Sequence, residues 1–248
     1  DLLHDFAMKL PIELIGDMLG VPREDRHLLS PWAGVILGGL EADLTVPQRD
    51  AAALAVDNFK DYLRWLIAER QKNPLSGEKG EVLSKLVGPD AEGDTLTELE
   101  LLHNCIFLLN AGHETTANTV TNGIDALLRF PDQLDRLRAE PDLIVSAVEE
   151  LLRFESSVQL SNRKLTADAE IGGMAMKKGD YIWLCIGAAN RDPAEFPEPD
   201  SVDIGRERNR HLAFGAGIHA CAGMSLGRME TRIALNGFIR RFRDIEPS

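Results

Sequence analysis

The chain is poor in cysteine: Cys105, Cys185 and Cys221 are the only three in 248 residues. They are too few and too scattered for a disulfide framework, so any special role falls to a single thiol. No uncharged apolar run reaches the length of a membrane span, which argues against an integral membrane protein. The N-terminus, DLLHDFAMKLPIEL, lacks the basic-then-apolar order of a signal peptide, and a cytoplasmic protein is expected. Positive charge is in deficit, with a net −13 at neutral pH, a balance that repels phosphate backbones and disfavours nucleic acid as a partner. Internal repeats and low-complexity tracts are missing too. What remains is 44% hydrophobic and 27% charged, the composition of a soluble globular chain rather than a disordered or fibrous one. Its length suffices for a real core, and it is read as one domain over residues 1–248.

The first two thirds are expected to be helical. Apolar residues recur at three- and four-residue spacing from Leu2 to Leu19 and from Leu54 through Phe59, Leu63, Leu66 and Ile67, with Gly20, Pro22 and Gly38–Gly39 as punctuation. QKNPLSGEKGE and GPDAEGDT read as surface connections inside one domain. A long helix should start near Thr95 or Thr97, where Glu100 completes a capping box with Thr97, and end before Pro131. Shorter helices follow at Asp132–Ala139 and Leu143–Phe154. From Val158 the segments SVQLSNRKL, AEIGG, MAMKKGD and YIWLCIG predict a small antiparallel sheet. After a proline-rich stretch, a glycine-rich loop leads into a last helix whose Leu226, Met229, Ile233, Leu235 and Phe238 would form its apolar stripe. The fold class is mainly α with a small antiparallel β-sheet.

FGAGIHACAG, Phe214 to Gly223, is the most informative stretch. Its glycines permit positive φ and close backbone approach, suiting a loop wrapped around something bound to Cys221. A helix starting near Ala222 would put the sulfur at its N-terminus, where the dipole favours a thiolate by up to ~1 kcal/mol. Such a thiolate is a metal ligand or a nucleophile. Gly215, Gly217 and Ala220 also match the dinucleotide pattern G-x-G-x-x-A, but no strand–helix–strand unit surrounds them. His219 beside Cys221 does not by itself supply a nucleophile–base geometry. His113–Glu114 begins a zinc-protease-like motif that fails at Ala117, where the second histidine would stand.

A second constellation is AGHETT, Ala111 to Thr116, in the long helix. The Thr115 hydroxyl is placed to bond the Ala111 carbonyl and open the helix locally. An opened helix beside a buried acid is a place to hold water and pass protons; the alternative is a solvated polar face. Third, Glu150 and Arg153 in EELLR project from one helix face and can pair, most often a surface matter.

Taken together, AGHETT, E-x-x-R, SNRKL and FGAGIHACAG resemble, in order and spacing, the signatures of the cytochrome P-450 superfamily, the haem-thiolate monooxygenases. The loop pattern F-x-x-G-x-x-x-C-x-G is met by Phe214, Gly217, Cys221 and Gly223; with LGVP near Gly20, the chain looks like soluble bacterial members. The resemblance implies a partial cytochrome P-450 fold, because family chains extend well before Asp1 and beyond Ser248. It implies haem b (iron protoporphyrin IX) as cofactor, Cys221 as the iron ligand, and Phe214, Gly215, Gly217, Gly223 and Ala111 around it. Glu114 and Thr115 would be the acid–alcohol pair that delivers protons to dioxygen. Arg163 and His211 match positions that bind the haem propionates. Glu150 and Arg153 would be the structural pair behind the loop; Ser201 stands where the family has a further arginine, with Arg206 or Arg208 as its substitute. Arg206, Arg208, Arg210 and Arg228 are expected to dock a ferredoxin-like or flavoprotein electron donor. The implied activity inserts one oxygen atom of dioxygen into a small apolar or amphipathic organic substrate. The rival readings are a catalytically silent haem-binding or scaffold remnant and a haem-free thiol enzyme.

Overall fold

A computed structural model describes residues 1–41, 43–73, 81–89, 91–243 and 245. The expected connection QKNPLSGEKGE therefore lies largely outside the described residues. The chain divides into two compact units, Asp1–Ala117 and Asn118–Ser248, with the boundary inside its longest helix.

The first unit opens with a π-helical turn, Leu2–Ala7, followed by α1 (Lys9–Leu19), a 3₁₀ segment Arg23–Leu28, α2 (Leu29–Gly38), α3 (Val46–Lys72), α4 (Glu81–Val87) and the start of α5 (Glu98–Arg129). Local chemistry sets these ends. Gly20 terminates α1 in the left-handed region at φ 69°, a conformation that costs glycine little. Thr45 and Gln48 form a capping box on α3, with Pro47 in the first turn. At the start of α5 the Thr97 backbone N–H donates to Glu100 Oε2 at 2.8 Å and the Glu100 N–H to Thr97 Oγ1 at 3.3 Å, the expected reciprocal cap. Ile15, Leu19, Phe59, Leu63, Leu66, Leu102 and Leu109 are among the buried core. Gly112 on α5 lets α1 come close: a Cβ there would lie 2.8 Å from Ile15 Cδ1.

The second unit contains the rest of α5, α6 (Pro131–Ala139), a 3₁₀ turn Pro141–Leu143, α7 (Ile144–Phe154), β1 (Leu160–Lys164), β2 (Ala169–Ile171), β3 (Met174–Met176), β4 (Tyr181–Cys185), the single turn α8 (Ile186–Ala189) and α9 (Met224–Arg241). Gly123 brings α5 against α7, its missing Cβ facing Leu151 Cδ1 at 3.3 Å. Phe130 meets Phe154 edge to face at 5.4 Å, and the Arg191 guanidinium lies 3.8 Å above the Phe154 ring.

Two expectations are corrected here. The strands form two separate two-stranded antiparallel ladders, β1–β4 and β2–β3, rather than one sheet. Gly172 and Gly173, both at positive φ, close β2 onto β3 as a hairpin nested between the outer strands, which pair with each other from Leu160↔Cys185 to Lys164↔Tyr181. On α9, Met229 and Ile233 are exposed, and the buried stripe is Glu230, Thr231, Ala234, Leu235, Phe238 and Ile239. The positions 231, 235 and 238 follow helical spacing on the packed side, and Met229 and Ile233 fall on the neighbouring face.

Candidate functional site

The Cys221 loop is built by three backbone features. Gly215 and Gly217 take φ of 66° and 69°, which a residue with a Cβ adopts only at a cost. A short 3₁₀ turn, Gly217–His219, follows, and the Cys221 N–H then donates to the Phe214 carbonyl at 2.8 Å. α9 begins at Met224 with Gly223 as its cap, so the sulfur stands just ahead of the helix. Gly223, at φ −88°, does not need the freedom expected of it. Cys221 and Cys185 are exposed thiols, whereas Cys105 is buried and burial pushes its thiol up to about 11. The three cysteines thus divide into one inert core residue, one on the end of a strand and one presented by a shaped loop.

Phe214 is the loop's aromatic anchor. The Arg228 guanidinium lies 4.6 Å over its ring, and the His211 ring is 6.0 Å away. Both side chains converge on Glu149, which the sequence motifs do not single out. Arg228 Nε and Nη2 donate to its two oxygens at 2.7 and 2.8 Å, and His211 Nε2 lies 3.1 Å from Oε2. The Ala213 N–H donates to His211 Nδ1 at 3.2 Å. Burial pushes the Glu149 carboxyl up, but the hydrogen bonds from His211 and Arg228 outweigh it and bring it down to about 2. His211 thus has both ring nitrogens engaged by protein groups; reaching a propionate would require it to leave Glu149.

Behind the loop, Glu150 and Arg153 are fully buried, not a surface pair. Arg153 Nε and Nη2 donate to the two Glu150 oxygens at 2.8 and 2.9 Å, and its other donors cap the carbonyls of Asn190, Pro199 and Ser201. Arg206 settles the open question of the third arginine: its Nε donates to Glu150 Oε2 at 3.0 Å, whereas Arg208 pairs with Glu195 on the surface. Asn209 and the Asp203 N–H complete the set of donors to Glu150. Buried Asn190 links this network to the loop, donating to Ser156 Oγ and accepting from the Leu212 N–H at 2.7 Å each. The expected basic docking patch is correspondingly smaller. Arg206 and Arg228 serve internal networks, which leaves Arg208 and Arg210 on the surface.

In the first unit, the Thr115 hydroxyl donates to the Ala111 carbonyl at 2.7 Å, as expected. The helix is not opened by it: α5 runs without interruption from Glu98 to Arg129, because this bond uses a second lone pair of the carbonyl and leaves the helical ladder intact. Glu114 and Thr115 are half-buried and Ala111 is exposed; the buried members of the motif are His113 and Thr116. His113 contacts the Met8 backbone and burial lowers its pKa, while its Nε2 has no hydrogen-bond partner among the described residues. Arg163 is exposed on β1, with Nη1 bonded to Ser161 Oγ and the Asn162 carbonyl.

The chain thus combines a fold mainly of helices, a cysteine loop at the head of its last helix and a buried E-x-x-R pair. The sequence profile of the family described as Cytochrome P450 matches residues 43–247, and the chain belongs to that family. It is 39% identical over 241 residues to the biotin biosynthesis cytochrome P450 of Bacillus subtilis, covering 97% of this chain and 60% of that protein. The steroid C26-monooxygenase of Mycobacterium tuberculosis is 36% identical, over 99% of this chain and 65% of its own length. Among solved structures, P450BioI bound to a hexadecenoic-acid-ligated acyl carrier protein superposes with a TM-score of 0.89 at 39% identity, over 97% of this chain and 61% of that one. Ligand-free TbtJ1 gives 0.92 at 35% identity, over 100% and 65%. The chain thus spans about 60% of the length of the first of these relatives.

Proposed function

We propose that this chain is a haem-thiolate monooxygenase domain over residues 1–248, with Cys221 as the iron ligand. The observation that carries the reading is the Cys221 loop: two glycines at positive φ and a thiol ahead of a helix, its amide tied to Phe214. The donor set fits haem, with one exposed thiol for iron, the Arg163 guanidinium for a carboxylate, and large exposed apolar side chains such as Ile218, Trp183 and Leu184 nearby in sequence or on β4. Ala111, Phe214, Gly215, Gly217 and Gly223 are the further contacts proposed for haem b. His211 enters the proposal with Glu149 as its present partner. When bound, the haem supplies activation of dioxygen, favoured by electron donation from the thiolate.

The remaining chemistry belongs to side chains. Glu114 and Thr115 are proposed as the acid–alcohol pair that delivers protons: with its own proton directed at Ala111, the threonine oxygen acts as an acceptor. Proton transfer by such a positioned group is worth about 10²–10⁴-fold. The substrate is proposed to be a small apolar or amphipathic organic molecule, in keeping with relatives described as biotin-biosynthetic and steroid-oxidising enzymes. Electrons would come from a ferredoxin-like or flavoprotein donor at the surface carrying Arg208 and Arg210, in the cytoplasm. Among the described residues, no helix is long and apolar enough to cross a membrane.

The ferrous carbon monoxide spectrum tests the assignment. A strongly red-shifted Soret band is expected for the haem-loaded chain and should vanish in Cys221→His while surviving replacement of Cys105 or Cys185. Survival in Cys221→Ser would refute the ligand. Thr115→Ala should divert electrons from product to peroxide, and unchanged coupling would remove Thr115 from the reaction.

A further inference from the structure

A thiol on an exposed, glycine-rich loop has little rigidity of its own. The Cys221 carbonyl accepts from the Met224 N–H at 3.3 Å on the helix side, and its N–H donates to the Phe214 carbonyl on the loop side, so the loop side of the thiol is held as well as Phe214 is. The Phe214 ring rests against Arg228 and His211. Both of these are tied to one carboxylate on α7, a helix whose next residue is the saturated, buried Glu150.

The geometry points to Glu149 as a positioning residue for Cys221, acting through Arg228, His211 and Phe214. This inference rests on Cys221 as the iron ligand. Two effects follow from the same carboxylate. Mechanically, it connects the loop to the helical core. Electrostatically, it compensates the Arg228 guanidinium. With Glu149 neutralised, the Arg228 charge over the Phe214 ring would stand uncompensated beside the loop.

The test compares the full chain with Glu149→Gln and Glu149→Asp. In the haem-free protein, hydrogen exchange of the Cys221 amide, read by peptide mass spectrometry, should be about tenfold faster in Glu149→Gln, as its bond to the Phe214 carbonyl opens more often. Glu149→Asp, which keeps the charge, should stay close to the parent. In the haem-loaded protein, Glu149→Gln should move the reduction potential to a more positive value, with Glu149→Asp restoring it. An unchanged exchange rate or an unchanged potential in a folded Glu149→Gln protein overturns the inference. If that variant does not fold, hydrogen exchange of the Cys221 amide in the parent chain decides. Protection supports the strut, and exchange at the rate of a free loop overturns it. The exchange measurement needs no haem, so failure of the carbon monoxide spectrum and failure of Glu149 are distinguishable.

Discussion

Two buried glutamates of the second unit, Glu150 on α7 and Glu230 on α9, are built in opposite ways. Glu150 is 0% exposed and Glu230 5%, so burial does not separate them. Donors do. Glu150 accepts from Arg153, Arg206, Asn209 and the Asp203 backbone. Glu230 Oε1 has no hydrogen-bond partner among the described residues, and burial pushes its carboxyl up to about 7. A carboxylate can stay charged inside a protein only where fixed dipoles and cations replace its water, and the α7 network supplies them while the α9 face does not.

The strongest way to break the comparison is to remove a donor from Glu150. Arg153→Met would leave a buried charge half-solvated and three carbonyls without their donor, a loss of about 3–5 kcal/mol in guanidinium unfolding. A loss below about 1 kcal/mol would put this pair on the footing of a surface ion pair.

Glu230 should show the reverse dependence on charge. Its folded pKa lies above the ordinary value of 4.5, so the folded state binds the proton more tightly than the unfolded chain. Its contribution is fully present below about 4.5 and is lost as pH rises through about 7, by up to about 3 kcal/mol at 1.36 kcal/mol per pKa unit. Glu230→Gln should flatten this part of the stability–pH profile; an unaltered slope would assign it to another group.

The two arginines that sequence could not separate give the finest grading. Arg206→Ala, which removes a charged donor from Glu150, should cost about 1–3 kcal/mol. Arg208→Ala, at an exposed pair with Glu195, should cost no more than about 0.5 kcal/mol. Equal losses in thermal or denaturant unfolding would contradict the assignment of Arg206 to the network.

Legibility in the sequence follows the range of the interaction. The Thr97–Glu100 cap, the Thr115 bond to Ala111 and the Glu150–Arg153 pair join residues three or four apart, and local spacing alone is enough to expect each of them. Glu149 is different: its partners His211 and Arg228 lie 62 and 79 residues away, and nothing in EELLR distinguishes its first glutamate as a site residue. The stripe on α9 fails for a related reason. Apolarity identifies the helix but not which of two adjacent faces meets α7, and a buried Glu230 is a poor signal of an inward face.

By itself, the sequence determined the mainly helical class, the capped start of the long helix, the glycines of the Cys221 loop and the family to which the motifs point, because caps, turns and short-range pairs are contained within a few residues. Only the tertiary structure decided that Arg206 rather than Arg208 completes the α7 network, that the strands split into two ladders, and that Glu149 stands behind Phe214. These are choices among chemically equivalent groups, and the choice is made by which ones the packing of α7, α9 and the intervening loops brings within hydrogen-bond distance.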